Sequence, residues 1–384
     1  MSIKKIAIDI RNIGKKRTGD EVVFFNLVKQ FSILDKENEY FLLTDRNPET
    51  DQELQKSITS LCLAPNFKVI SLCERGANKF WWNAWMLPKY LRENPADILQ
   101  VQYITPFFVP RKIKIITIVH DISFKVFPEL VEKTDLFFLQ TLIPLSLRRA
   151  DKIIGVSRFT ADEIMKYYKV DKRKIGWIHN AVADNFFVEH SQDKLEAVRQ
   201  KYNLPEKFIL YIGTLQPRKN LPALIETYVS MPMEKRKNIK LVLAGGKGKN
   251  YDTKIDDFIR DYSLEKYVLL PGYIADEDKP LVIKLAHVFC LPSMYEGFGI
   301  PILEAMTAGV PVLASNITPH AEITAEAALL FNLDNPADFS QKLMQIVDED
   351  STRTDLIKKG LLQSKKFSWQ QTAEKMLGIY RETA

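Results

Sequence analysis

The residues best suited to chemistry lie in the run Ser293-Met294-Tyr295-Glu296-Gly297-Phe298-Gly299-Ile300-Pro301-Ile302-Leu303-Glu304. It follows the apolar stretch Val288–Leu291, so it reads as a strand, a tight turn at Gly297 and Gly299, and a helix that Pro301 helps to start. The N–H groups of Phe298, Gly299 and Ile300 at such a helix start make an anion site. The carboxylates of Glu296 and Glu304 are bidentate acceptors suited to vicinal hydroxyls, as in a sugar. One glutamate near a helix start usually serves only the helix dipole. A site is favoured here because so many special residues coincide.

A second run, Leu210-Tyr211-Ile212-Gly213-Thr214-Leu215-Gln216-Pro217-Arg218-Lys219-Asn220, places two adjacent cations where a strand hands over to a helix. Arg218 and Lys219 there can clamp a diphosphate and neutralise a departing anion without a metal; the plainer alternative is a solvated basic turn. In a third run, His120 and Asp121 end the very apolar segment Ile116-Thr117-Ile118-Val119, at the sheet edge where sites form. A lone His at such a place is more often structural. Gly19 precedes a helix after Gly14-Lys15-Lys16-Arg17-Thr18. Gly245-Gly246-Lys247-Gly248 and Gly272-Tyr273-Ile274 follow two further strand-like runs. Asp276-Glu277-Asp278 and Asp348-Glu349-Asp350 read Asp-x-Asp, but no His or Cys cluster supports a metal. The first suits a helix start with Asp276 as cap.

The Glu296/Glu304 string resembles the paired-glutamate signature of glycosyltransferase family 4, retaining enzymes that use nucleotide sugars and have the GT-B fold. The likeness extends over nearly the whole chain. It implies that Glu304 binds the nucleotide ribose and Glu296 the donor sugar, with the amides of Gly297, Phe298, Gly299 and Ile300 near sugar or phosphate. The Gly213 to Asn220 turn is similar to the family's diphosphate turn, which implies that role for Gly213, Arg218 and Lys219; Thr214 stands where many members have Arg. The strand-end His-Asp implies that His120 contacts the donor sugar beside the reacting carbon. Gly19 is implied as a phosphate or sugar contact, and Tyr273 lies in the segment implied to rest against the base. The overall look is that of bacterial mannosyltransferases of surface polysaccharide assembly, so GDP-mannose is the first expected donor, used without a metal or other cofactor. The expected acceptor is a glycan or a lipid-linked glycan. An epimerase of the same architecture, or a non-catalytic sugar-nucleotide-binding protein, are the rival readings; the former wants more acidic or His groups than these runs contain, and intact Glu296, Glu304, Arg218 and Lys219 speak against the latter.

These residues need a scaffold of strands and helices in alternation, and the apolar period provides one. Short β-branched runs (Lys5–Ile10, Tyr40–Thr44, Lys68–Leu72, Asp97–Val101, Ile113–Val119, Lys152–Val156, Lys174–Ile178) alternate with amphipathic stretches, stop across a polar segment ending near Pro205, and then resume from Phe208. Two α/β, doubly wound Rossmann-like domains are therefore expected, at 1–190 and 205–365, facing across a cleft. The resemblance makes the first the acceptor domain and the second the donor domain. A helix at about 366–384 is expected to pack back on the first domain.

The 384 residues, 46% apolar and 27% charged, exclude disorder and fibrous folds. Three scattered cysteines fit a reducing compartment, and no run is apolar enough to span a bilayer. The expected location is cytoplasmic. The net charge of +6 resides wholly in residues 1–195, with 30 basic against 24 acidic residues. That half also carries Trp81, Trp82 and Trp85 on one helix, for which core packing is the ordinary role. Basic charge with aromatics also suits peripheral contact with an anionic membrane at its inner face. No nucleic-acid partner is expected.

Overall fold

The computed structural model describes residues 3–15, 19–74, 76–248 and 250–383, and counts and absences below refer to these. The chain forms two units, 1–180 together with 368–384, and 181–367. The division at 180 falls before the expected boundary at 190. The polar segment that ends near Pro205 contains one helix, Gln192–Lys201, which packs in the second unit against the helix Lys279–Lys284.

The first unit contains β1 (Lys5–Asp9), β2 (Glu39–Thr44), β3 (Phe67–Ser71), β4 (Ile98–Gln102), β5 (Lys114–Val119), β6 (Lys152–Gly155) and β7 (Ile175–Trp177). They form one parallel sheet in the order β3-β2-β1-β4-β5-β6-β7. The second contains β8 (Phe208–Ile212), β9 (Lys240–Ala244), β10 (Val268–Leu269), β11 (Val288–Leu291), β12 (Val312–Ser315) and β13 (Leu329–Phe331), parallel in the order β10-β9-β8-β11-β12-β13. Strands covered on both faces must be apolar throughout, and β8 and β11 are buried at every position. Each order reverses once, between β1 and β4 and between β8 and β11, which is where doubly wound sheets bind ligands.

The helix Trp369–Thr383 completes the first unit. Its Tyr380 is buried against Phe31 of the helix Gly19–Leu34, and its hydroxyl donates to Gln100 Oε1 of β4. Cys62, Cys73 and Cys290 form no disulfide.

The three tryptophans depart from the expected core role. A π-helical turn, Trp82–Met86, interrupts the helix after Lys79–Trp81. Only Trp82 is buried; its Nε1–H donates to Asp9 Oδ2 at 3.0 Å, under the guanidinium of Arg11. Trp81 and Trp85 are 61% and 56% exposed, four residues apart and so on one face.

Candidate active site

β8 and β11 flank the reversal point of the second sheet, and the two cations and Glu296 leave from their carboxyl ends. After β8, Gly213 turns the chain; its N–H donates to Ala244 O. Gly245 fits beside it only because it lacks a Cβ, which would lie 2.0 Å from the Gly213 carbonyl oxygen. A short 3₁₀ turn, Pro217–Lys219, then presents both cations, and Asn220 in the left-handed region opens the helix Leu221–Val229. The Arg218 carbonyl accepts from Met294 N–H at 2.9 Å, which ties this turn to the loop after β11.

That loop carries Glu296, whose side chain is only 12% exposed. Lys219 Nζ donates to its Oε1, Arg218 Nη1 lies 3.4 Å from its Oε2, and Ser293 Oγ donates to Oε1 at 2.8 Å. Arg218 also donates to Tyr295 O at 3.1 Å. Burial alone would push the Glu296 carboxyl up, but Lys219 and then Arg218 bring it down to about 2. A carboxyl depressed when folded contributes stability above its ordinary range and loses it as pH falls. The contribution should amount to about 3 kcal/mol at neutral pH and disappear between pH 4.5 and 2. Urea unfolding should therefore show a steeper loss of stability through that window for the wild type than for Glu296→Gln. Equal slopes would show that the pair adds nothing.

Gly299 has φ +110°, a conformation other residues rarely adopt, and caps the helix Ile300–Thr307. Pro301 is the second residue of that helix rather than the first. Phe298 turns its ring inward onto Phe367, so only its backbone is available to a ligand, and Gly297 is buried beside it. Glu304, in the second turn of the helix, is buried and paired with Lys279, whose Nζ lies 2.7 Å from Oε1 and 2.6 Å from Oε2. The sequence reading missed Lys279. Its only sequence signal is a place immediately after Asp276-Glu277-Asp278, where the acids draw attention. The helix there begins at Lys279 with Asp278 as cap, not Asp276. Asp278 is engaged with Lys201 and Tyr202, Asp348 with Lys235, and no cluster of metal ligands occurs among the described residues.

His320 is also missing from the sequence reading. It is fully buried in the helix Thr318–Thr324, with Nδ1 against Ser315 and its Cδ2 edge toward Gly299. Burial holds its pKa down at about 4, which keeps the ring neutral. Tyr273, by contrast, is exposed, its phenol 3.4 Å from Asp276 Oδ2.

In the first unit, His120 follows β5 and is nearly buried. Its Nε2 lies 3.1 Å from Gln102 Oε1, its Nδ1 3.7 Å from Asp20 Oδ1, and its ring packs by Tyr103. Asp121 caps the next turn through Ser123. Gly19 is the first residue of its helix, not the residue before it, with open space where a side chain would be. Thus His120 meets the start of the Gly19 helix through Asp20. Of Lys15 to Arg17, only Lys15 is described, 3.9 Å from Asp45; Lys16, Arg17 and Thr18 lie outside the described residues.

Comparison with known proteins gives this geometry a context. The family model "Glycosyltransferase Family 4" matches residues 18–186, and "Glycosyl transferases group 1" matches 194–363. An O-antigen chain mannosyltransferase B of Escherichia coli is 33% identical over 72% of this chain and 72% of its own length. A serotype-specific mannosyltransferase, WbdA, also of Escherichia coli, is 33% identical over 59% of this chain, a match spanning 28% of that longer protein. Among solved structures, a glycosyltransferase from Rickettsia africae superposes with a TM-score of 0.74 at 18% identity, covering 100% of this chain and 99% of its own.

Proposed function

The chain belongs to the glycosyltransferases that join a family 4 domain to a group 1 domain, and from that premise we propose that it transfers mannose from GDP-mannose to a glycan or lipid-linked glycan, with retention of configuration. One observation carries the site assignment: a largely buried carboxylate, Glu296, clasped by Lys219 and Arg218 at the carboxyl ends of the strands that flank the reversal point. The mannosyltransferase relatives support the choice of sugar.

In the proposed reaction the bond from the anomeric carbon to the donor diphosphate breaks, and charge builds on the sugar ring and on the leaving oxygen. Arg218 and Lys219 neutralise the departing diphosphate, aided by the N–H groups at the start of the Ile300–Thr307 helix. Glu296 holds the sugar hydroxyls, Glu304 the ribose, and Tyr273 lies along the base. Gly213 and Gly19 let backbone approach the phosphates or sugar. His120 is assigned, on the resemblance, to the sugar beside the reacting carbon. The acceptor hydroxyl attacks from the face the diphosphate leaves, and its proton goes to a diphosphate oxygen. The products are the glycoside and protonated GDP, so no covalent sugar–enzyme intermediate is required. The cations carry the charge that a metal carries elsewhere.

Thermal-shift measurement against GDP-, UDP- and ADP-sugars tests the donor, because a ligand of the folded state raises the melting temperature. GDP-mannose should give the largest shift, and its turnover should survive excess EDTA. A larger shift with another sugar nucleotide overturns the choice of donor. Turnover lost in EDTA and restored by manganese overturns the metal-free mechanism.

Peripheral contact with the inner face of an anionic membrane is a further part of this reading. Residues 75–92 and 98–120 contain seven basic residues and no acidic one. They also carry Phe80, Trp81, Trp85 and Phe108, all more than half exposed, and rings run in contact from Trp81 through Phe80 and Phe107 to Phe108. Exposed aromatics beside a local excess of bases suit a headgroup layer. The protein should float with vesicles containing phosphatidylglycerol and not with phosphatidylcholine alone, and Trp81→Ser with Trp85→Ser should abolish flotation. Equal flotation on both vesicle types would remove the electrostatic part of the reading.

A further inference from the structure

We propose that Ser293, Ser315 and His320 form a buried relay that keeps Glu296 aimed at the donor sugar once Arg218 and Lys219 turn to the diphosphate. The inference rests on the reading of Glu296 as the sugar-binding carboxylate. The two cations that clasp Glu296 are also the groups assigned to the diphosphate. A cation shared between two anions holds each less firmly, so in the donor complex Glu296 needs an anchor that the diphosphate does not claim.

Ser293 is that anchor. Its Oγ–H donates to Glu296 Oε1 at 2.8 Å from a fully buried position. Its own backbone is held in turn. Ser315, the last residue of β12, is also fully buried and donates its hydroxyl to Ser293 O at 2.6 Å. His320 Nδ1 lies 3.0 Å from Ser315 O and 3.2 Å from Ser315 Oγ. A carbonyl only accepts, so Nδ1 carries the proton and the ring's tautomer is fixed. With the Ser315 proton given to Ser293 O, its oxygen faces the Nδ1–H as an acceptor. The imidazole lies close to the glutamate loop because Gly299 has no side chain: a Cβ there would be 3.3 Å from His320 Cδ2. The relay thus runs from the helix Thr318–Thr324 through the end of β12 to the loop after β11. Its members are neutral hydrogen-bonding groups in a dry interior, where such bonds are strong and mutually polarising. They add no charge that would compete with the leaving group for Arg218 and Lys219. They are positioning residues, since none touches the substrate.

Turnover of GDP-mannose and calorimetric affinity for GDP, which has no sugar for Glu296 to hold, test this together. Loss of one hydrogen bond to a charged group corresponds to about 10- to 100-fold. Ser293→Ala should lower kcat by that factor and His320→Leu, which loses bonds to a neutral group, by about 2- to 10-fold, both leaving GDP affinity within about twofold. His320→Asn, which keeps a donor near the Nδ1 position, should recover most of the loss. Ser293→Ala combined with Glu296→Gln should be no worse than Glu296→Gln alone. Near-wild-type turnover in Ser293→Ala, with Glu296→Gln impaired, overturns the relay and leaves the role of Glu296 intact. Near-wild-type turnover in Glu296→Gln overturns that role and the relay with it. GDP affinity falling in step with kcat assigns the three residues to folding and overturns the relay.

Discussion

Replacing Lys219 by Met or Arg218 by Ala should each lower kcat by about 10²- to 10³-fold, with KM for the donor changed far less. Both residues stand where charge develops on the leaving diphosphate, so their contribution is largest in the transition state. The double variant should be much less impaired than the product of the single effects, because the two share one ligand. Lys219→Met has a second consequence visible in the structure: it leaves the largely buried Glu296 without its main partner. Removing one member of a buried pair typically destabilises by about 3–5 kcal/mol. Adding Glu296→Gln should restore much of the melting temperature while turnover stays low, which separates folding from chemistry. Steady-state kinetics with a melting curve for each variant decides. Near-wild-type kcat in the single variants would make the basic turn a solvated surface.

Glu304→Ala should weaken GDP binding by about 10²-fold or more, from the loss of hydrogen bonds between a charged acceptor and the ribose hydroxyls at about 1.5–3 kcal/mol each. Lys279 sharpens the expectation. Its Nζ lies within 2.7 Å of both oxygens of Glu304, so the carboxylate is oriented before the ribose arrives. Lys279→Met should weaken GDP binding as well, but less than Glu304→Ala, because the acceptor itself remains. Calorimetry showing unchanged GDP affinity in Glu304→Ala would remove this residue from the site.

Much of this was legible from the sequence because parallel strands covered on both faces are written as uninterrupted apolar runs. Phe208–Ile212 and Val288–Leu291 stand in the structure where the sequence places them. The glycine, proline and paired acidic or basic residues after them mark the turns. The groups that support the site were not legible. Lys279, Ser315 and His320 reach it from 25, 22 and 5 to 21 residues away in hydrogen-bond and packing partners that leave no local period. Serine, lysine and histidine are also ordinary residues, with nothing in their spacing to set these three apart. The tryptophan helix misled for a different reason. A 3.6-residue period assumes regular winding, and the π turn at Trp82–Met86 breaks it. Only one ring of the three is left inside.

The return of the last helix to the first unit has a consequence for how the chain is made. The polypeptide leaves the first unit at Asn180, builds all of 181–367, and supplies Tyr380 to the first unit only at its end. Domains generally fold during synthesis in the order they emerge. Here the second unit is complete before the first, although it is the later of the two to begin. A chain extended only as far as 367 therefore contains all of the second unit and a first unit with the seat for Tyr380, between Phe31 and Gln100, still open. Removal of residues 368–384 should produce the same half-finished state permanently, and it is the first unit, remote in sequence from the cut, that should be sensitive to proteolysis.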